Sequence, residues 1–179
     1  MAWIETKLKG AYIFELEPIT DSRGFFARTF ASQEFVERGL NPKVEQCNLA
    51  YNHKKGTLRG MHFQLNPAAE VKLVRCTRGV IYDVIVDIRP DSPTFLQHTG
   101  VELSADNRRT LYVPEMFAHG YQTLTDDTEV FYQVSQGYAP RYAAGYRYND
   151  PAFNIKWPLP VTEISDKDKN WAGFANPAG

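Results

Sequence analysis

The sequence has 179 residues, and 20 lysine and arginine residues are balanced by 21 aspartate and glutamate residues, which gives a net charge of -1. This balance excludes a nucleic-acid binder, which needs a surplus of basic side chains against the phosphates, and no segment reaches the roughly 20 apolar residues that cross a membrane. The length and composition predict one domain over residues 1–179, and the lack of a secretory pattern at the start predicts a cytoplasmic protein.

Most of the predicted elements along the chain are short β-strands. A first helix is expected at residues 32–39, where Ser32 would cap the N-terminus and Gly39 would end the helix. Side chains alternate between two faces over residues 80–89, a period that fits a strand and not a helix. Further strands are expected at residues 72–77, 101–103, 110–113, 120–124 and 129–135, followed by an irregular segment at 139–160 and a short helix that begins at Ser165.

Short strands separated by turns are typical of a sandwich or a barrel. The predicted fold class is therefore all-β, a jelly roll with a few short helices, in which a ligand would enter between two sheets. The two cysteines, Cys47 and Cys76, lack the spacing of a disulfide framework or a zinc site and are expected to be reduced, half-buried thiols. No metal site is predicted, because metal-ligand spacing is also absent among the histidines, which are His53, His62, His98 and His119.

Two histidines are candidates for chemistry. His62 would share a strand face with Leu58, Gly60 and Gln64, and a glycine inside a strand often marks the close approach of a ligand or of another backbone. His62 would then be either a pocket-facing histidine or a hydrogen-bonded histidine of the core. His119 is expected in a loop that leads into the strand at residues 120–124, at the mouth of the fold.

Three cationic side chains could bind an anionic small molecule. Arg59 precedes His62 by three residues, Lys72 begins a predicted strand, and Arg23 lies in a polar segment near the N-terminus. Arginine pairs with phosphate through two hydrogen bonds, and lysine can hold an oxyanion as a point charge. The alternative is that each is a solvated surface charge.

A tyrosine and an aspartate complete the candidates that the residue pattern provides. Tyr132 shares an apolar, inward strand face with Val130 and Val134, so its hydroxyl needs either a buried acceptor or a role as a proton donor in a pocket. Asp168 occupies the third helical position after the predicted cap Ser165, and helix capping alone could explain it.

Nine ordered motifs together resemble one family, the dTDP-4-dehydrorhamnose 3,5-epimerases. The resemblance implies a cupin-type double-stranded β-helix that forms a homodimer and uses neither a metal nor an organic cofactor. It also implies an isomerase that inverts C3 and C5 of a nucleotide-linked 4-keto-6-deoxyhexose. The motifs are Asp21-x-Arg23-Gly24, residues 58–64, residues 72–76, residues 86–89, residues 92–94, Val101-Glu102-Leu103-Ser104-Ala105-x-Asn107, Val113-Pro114-x-x-Phe117-Ala118-His119-Gly120, residues 149–152 and Ser165-x-Lys167-Asp168.

The resemblance also implies roles for individual residues. His62 would be the base, Asp168 would orient it, Lys72 would hold the developing oxyanion, and Tyr132 would return a proton to the opposite face of the sugar. Substrate binding would involve six further side chains, which are Arg23, Gln46, Asn48, Arg59, His119 and Tyr138.

Two departures from the family pattern concern the nucleotide carrier. Arg28 stands where the family commonly has glutamate, and Leu49 interrupts the usual polar stretch after Asn48. Three alternatives follow from the residues: an epimerase that inverts a single centre of a CDP- or GDP-linked 4-keto sugar, a non-catalytic sugar-nucleotide-binding cupin, and a metal-dependent cupin oxygenase.

Overall fold

A computed structural model describes residues 1–175, and residues 176–179 of the predicted domain lie outside this range. The described chain is built mainly from strands and contains two short helices, neither of which is long and apolar enough to cross a membrane. The strands are β1 (Ala2–Glu5), β2 (Tyr12–Glu15), β3 (Ile19–Asp21), β4 (Gly24–Phe26), β5 (Gln46–Asn52), β6 (Thr57–Gln64), β7 (Lys72–Arg78), β8 (Val80–Asp87), β9 (His98–Ser104), β10 (Thr110–Val113), β11 (Phe117–Thr123), β12 (Thr128–Val134), β13 (Ala143–Gly145) and β14 (Glu163–Ile164), and the helices are α1 (Ser32–Val36) and α2 (Asp166–Lys169).

Two sheets form the body of the fold. The first sheet has the strand order β1-β2-β10-β7-β12-β5, and the second has the order β13-β6-β11-β8-β9, with β14 beside β6. Strands β5, β6, β7 and β8 lie alternately in the two sheets, and so do β10, β11 and β12. This alternation is the arrangement of a double-stranded β-helix, and it confirms the predicted all-β jelly roll. Strands β3 and β4 form a separate hairpin.

Strand β8 shows why the predicted alternation holds. Ile81 and Ile85 belong to the core between the sheets, whereas Val84 and Val86 pack in a second cluster on the outer face of the second sheet. Both faces are buried because the first sheet covers the inner face and the outer cluster, which includes Phe153, covers the other. Period-two spacing therefore puts apolar groups into two different cores.

The segment at residues 139–160 covers this outer face. The sequence predicts that the segment is irregular, but it contains a short strand. Strand β13 lies within it and pairs with β6, with Gly145 opposite His62. A Cβ atom at Gly145 would lie 2.4 Å from the Trp171 ring, so a glycine is required where these two segments meet. Tyr146 and Phe153 then pack on the outer cluster.

Helix α1 covers the outer face of the first sheet through the fully buried Phe35. The predicted cap at Ser32 is wrong: Ala31 is the N-cap, in an extended conformation, and no side chain caps the helix. Packing of Phe35 fixes the helix instead. The helix ends at Val36, before the predicted end at Gly39, and Gly39 lies in the turn that follows, in the left-handed conformation with φ of 68°.

The two cysteines are free thiols, but neither is half-buried. Cys47 is exposed on the outward face of the edge strand β5, and Cys76 is buried on the inward face of β7. Burial raises the pKa of Cys76 to about 11, so its thiol stays protonated at neutral pH.

Candidate active site

Polar side chains replace apolar ones at one end of the space between the sheets, and they leave a cavity of about 470 Å³ there. A second cavity of about 140 Å³ adjoins it, and His62, Lys72 and Tyr132 line both. We call them the large and the small cavity. The large cavity is also lined by Gln46, Asn48, Phe63, Gln64, Glu70, Val134, Tyr138, Ala143, Ala144, Lys167 and Trp171, and the small cavity by Ala50, Arg59, His119, Tyr121 and Val130.

A histidine and an aspartate form a close pair on the wall of the cavities. His62 Nε2 lies 2.6 Å from Asp168 Oδ1, and the other carboxylate oxygen accepts a hydrogen bond of 3.1 Å from the Gly60 N–H. The Asp168 N–H also donates to the Ser165 hydroxyl at 3.1 Å, which is the predicted helix cap. Capping therefore involves the backbone of Asp168, and its carboxylate is left for His62.

The charge of this pair is set by two opposing effects on Asp168. Burial raises the pKa of the carboxyl, but the hydrogen bond and the charge of His62, with the bond from Gly60, lower it by more. The pKa of Asp168 ends below its usual value of 3.8. The carboxylate is therefore ionised at neutral pH, and it fixes the Nε2 atom of the imidazole.

Two glycines position the strand that carries His62. A Cβ atom at Gly60 would lie only 2.5 Å from the Gly120 Cα atom, and Gly60 has φ of 139°. The pairing of β6 with β11 shifts at this point, between His119 and Tyr121. The predicted close approach at Gly60 is thus with another backbone, and it places the two histidines opposite each other in the register.

Lys72 is buried at the start of β7 and is paired with a carboxylate that the sequence analysis missed. Its Nζ atom lies 3.1 Å from Glu70 Oε1, and only 9% and 12% of the two side chains are exposed. Gln64 donates a hydrogen bond of 3.2 Å to Glu70 Oε2. The sequence offers one indication of this pairing. Gln64 is two residues after His62 and Glu70 is two residues before Lys72, and residues two apart in an extended chain point to the same side.

Tyr132 faces inward from β12, as the sequence predicts, and packs against the core between the sheets. Within residues 1–175 its hydroxyl has no hydrogen-bond partner, so the predicted buried acceptor is not found there. Burial raises the pKa of Tyr132, the negative charge of Glu70 raises it further, and Arg59 lowers it in part. The phenol is therefore protonated at neutral pH.

His119 lies in a strand, so the predicted loop is wrong. Strand β11 begins at Phe117 because Phe117 and Ala118 pair with β8 and are buried in the two cores. His119 Nε2 lies 2.6 Å from Oδ1 of the fully buried Asp83, a partner that the sequence analysis missed. Within the described residues, Asp83 Oδ2 has no hydrogen-bond partner.

The remaining predicted binding residues separate into two groups. Arg59 borders the small cavity, and its guanidinium is oriented by bonds of 2.7 Å to the Asn52 side chain and 3.2 Å to the Tyr51 carbonyl. Gln46, Asn48 and the largely exposed Tyr138 line the large cavity.

Among the six predicted substrate-binding residues, Arg23 is the one that lines neither cavity. It lies at the turn of the β3–β4 hairpin, is exposed, and pairs with Asp21. Arg28, one of the two departures, also borders neither cavity, and Leu49 is exposed on the edge strand β5.

Within residues 1–175, no cluster of three or more histidine, cysteine, aspartate or glutamate side chains could hold a metal ion. The His62 and His119 pairs each contain one histidine and one aspartate. The side chains that line the two cavities include imidazole, carboxylate, ammonium, guanidinium and phenol groups.

Comparison with known proteins places this site in a family context. The family model described as dTDP-4-dehydrorhamnose 3,5-epimerase matches residues 5–176. The dTDP-4-dehydrorhamnose 3,5-epimerase of Methanothermobacter thermautotrophicus is 44% identical over 172 residues, which cover 94% of this chain and 92% of the relative.

Two solved structures are similar over nearly the whole chain. The crystal structure of dTDP-4-dehydrorhamnose 3,5-epimerase from Bacillus anthracis, with TDP and PPi bound, has a TM-score of 0.92 and 42% identity, and the match covers 97% of this chain and 99% of that one. The Legionella pneumophila enzyme in complex with dTDP-4-keto-L-rhamnose has a TM-score of 0.89 and 35% identity, with 96% and 92% covered.

Proposed function

Since the chain belongs to the dTDP-4-dehydrorhamnose 3,5-epimerase family, we propose that it is an isomerase of a dTDP-linked 4-keto-6-deoxyhexose and inverts C3 and C5 of the sugar within a single domain. One observation carries the proposal. His62 is on the second sheet, where Asp168 of α2 pairs with it, and Tyr132 and Lys72 are on the first sheet, so a base and an acid line opposite walls of one cavity. Inversion needs this arrangement, because the proton leaves one face of the carbon and returns to the other.

His62 is the base in this proposal. The C4 ketone acidifies the hydrogens on C3 and C5, so an imidazole can remove them near neutral pH. Asp168 holds one ring nitrogen and is ionised, which stabilises the imidazolium that forms when the other nitrogen takes the proton.

Lys72 stabilises the enolate. Removal of the proton places negative charge on the C4 oxygen, and an ammonium group in a mostly buried site stabilises this charge more strongly than water does. Lys72 lies on the same sheet as Tyr132, so the oxygen can contact the lysine while the ring lies between the two walls.

Tyr132 returns the proton on the opposite face. Its raised pKa keeps the phenol protonated, and its hydroxyl is free of protein partners among residues 1–175. After His62 releases its proton to solvent and Tyr132 regains one from solvent, the same two steps at the second carbon complete the epimerisation. The mechanism uses side chains alone, because the ketone supplies the electron sink.

The large cavity suits the nucleotide part of the substrate. Gln46 and Asn48 offer amide groups, Tyr138 offers an aromatic surface, and Arg59 and Lys167 border the cavities with positive charge that suits a diphosphate. The exposed free thiol of Cys47 is compatible with a reducing compartment, and we propose a cytoplasmic location.

A homodimer would account for Arg23. This residue is outside the cavities of its own chain, at the tip of a hairpin that exposes Ile19, Phe25 and Phe26. An exposed apolar hairpin is typical of an interface. We propose that the hairpin of one copy packs on a second copy and brings Arg23 to the nucleotide there.

The test is proton NMR in deuterium oxide with dTDP-, CDP- and GDP-linked 4-keto-6-deoxyhexoses, in which the C3 and C5 hydrogens are followed separately. Exchange at both carbons with the dTDP sugar is expected. Exchange at one carbon would identify a single-centre epimerase. Faster exchange with a CDP- or GDP-linked sugar would show that dTDP is not the preferred carrier. Binding without exchange, from folded protein, would identify a non-catalytic binder.

A further inference from the structure

Glu70 is a carboxylate on the wall of the large cavity that the proposed reaction does not use. A negative charge beside a developing enolate opposes the reaction unless it is neutralised. Both oxygens of Glu70 have partners: Oε1 lies 3.1 Å from the Lys72 ammonium, and Oε2 accepts a hydrogen bond of 3.2 Å from Gln64. The carboxylate is therefore held in one orientation and points one oxygen at the lysine.

Gln64 is itself fixed on several sides. It is 3% exposed, and its amide nitrogen also lies 3.0 Å from the Ala68 carbonyl and 3.3 Å from the Gly137 carbonyl. Its amide oxygen accepts a bond of 2.7 Å from the Ala139 N–H. The strand that carries His62, the turn before Lys72 and the loop that carries Tyr138 are thus joined through one side chain.

We propose that Glu70 is a positioning residue that holds the Lys72 ammonium at the reacting oxygen, with Gln64 as its support. The inference rests on the proposed function, because it concerns the lysine assigned to the enolate. Lysine is a point charge on a flexible four-carbon stem, so its place in a cavity must be set by a partner. In the described residues, Glu70 is the carboxylate that forms an ion pair with Lys72.

The test compares Glu70→Gln, Glu70→Asp, Lys72→Met and the double variant Glu70→Gln/Lys72→Met in the NMR exchange assay at pH 7. Glu45→Gln is the matched control, since Glu45 forms an exposed pair of 2.9 Å with Lys43. For Glu70→Gln we expect a loss in kcat of roughly tenfold or more with KM changed by less than about threefold, because a positioning group acts mainly on the transition state. Glu70→Asp should recover part of the loss, and the control should match the wild type.

The double variant distinguishes action through Lys72 from any separate role. If Glu70 acts through the lysine, the double variant is no slower than Lys72→Met, because the two effects do not add. Losses that multiply in the double variant, or a kcat of Glu70→Gln within about twofold of the wild type, would overturn the inference. A purely structural role predicts a lowered melting temperature and a loss that Glu70→Asp does not reduce, and this result would overturn it as well.

The wild-type measurement separates this inference from the proposed function. Exchange in the wild type with a normal Glu70→Gln variant overturns the role of Glu70 alone. No exchange in the folded wild type with any of the three carriers overturns both.

Discussion

Two histidine–aspartate pairs among residues 1–175 have the same distance between the histidine nitrogen and the aspartate oxygen, but they differ in exposure and in the element that carries the aspartate. In each pair the histidine Nε2 lies 2.6 Å from an aspartate oxygen, and both histidines line the small cavity. The His62 side chain is 40% exposed, whereas that of His119 is 10% exposed. Asp168 comes from a helix far along the chain and has a second hydrogen bond from Gly60, whereas Asp83 comes from the neighbouring strand.

This difference shows that pair distance does not decide what a histidine does. Proton transfer needs a ring nitrogen that reaches the ligand, and the exposed His62 provides one while Asp168 holds the other. His119 is enclosed between strands and is tied to a fully buried carboxylate, which suits a group that fixes the position of the sugar. The comparison therefore supports the proposal that the first pair removes the proton, and it favours an orienting role for the second.

The largest effect expected from this comparison is on proton exchange after loss of either imidazole. His62→Ala should slow exchange at both carbons by about a hundred- to ten-thousandfold, since a general base contributes roughly 10²–10⁴. His119→Ala should slow it by about ten- to a hundredfold, mainly through the position of the sugar. Both rates are measured by NMR in deuterium oxide. A greater loss in the His119 variant would reverse the assignment.

The second prediction concerns the proposed return of the proton by Tyr132, on the wall opposite His62. Tyr132→Phe should slow reprotonation by about a hundredfold and leave deprotonation less affected, because the phenol acts only in the second step. Loss of the C3 and C5 hydrogens to solvent should then exceed the formation of inverted product. Equal losses of both rates would show that Tyr132 only positions the sugar.

The third prediction concerns the contribution of Asp83, the carboxylate of the second pair, to the free energy of unfolding. Asp83→Ala should lower the free energy of unfolding by about 3 kcal/mol, because it leaves a cavity and removes the buried acceptor of His119. Urea denaturation at pH 7 measures this, with Asp91→Ala as the control because Asp91 is exposed. Unchanged stability would mean that the second pair is not a structural one.

The smallest effect is the pH dependence of the first pair. The folded-state pKa of Asp168 lies below the unfolded value of 3.8, so its ionised form stabilises the folded protein above that pH, and this contribution is lost as the pH falls through the folded pKa. The excess stability of the wild type over Asp168→Asn should therefore shrink below about pH 4. Urea denaturation between pH 7 and pH 3 tests this. A constant excess over this pH range would contradict the pairing of Asp168 with His62.

The sequence predicts those parts of the fold that depend on local periodicity. The alternation over β8 and the inward face of Tyr132 follow from period-two spacing, and so does the strand that contains His62. The residues alone left His62 as either a ligand contact or a core histidine, and the resemblance to the family supplied its pairing with Asp168. A contact between residues so far apart in sequence depends on the packing of β14 and α2 against β6, which no local pattern contains.

Other features could not be predicted because a tertiary contact outweighs the local pattern. The sequence predicts His119 in a loop after Pro114, but pairing with β8 extends the strand to Phe117. Asp83 is one polar position of a strand in the sequence, and in the structure it is the buried partner of that histidine. Arg23 matches a family motif but lies outside both cavities, because a sequence motif contains no information about where the hairpin that carries it packs.

The contact between Gly60 and Gly120 has a consequence for engineering the protein. Gly60 is two residues from His62, Gly120 is next to His119, and the two backbones are too close for a single methyl group. Any larger residue at either position would separate both histidines from each other and from whatever lies between them. Random mutagenesis that seeks a changed sugar preference should therefore recover no active variant at codons 60 and 120. Substitutions at these two positions cannot be used to adjust the spacing between the two histidines.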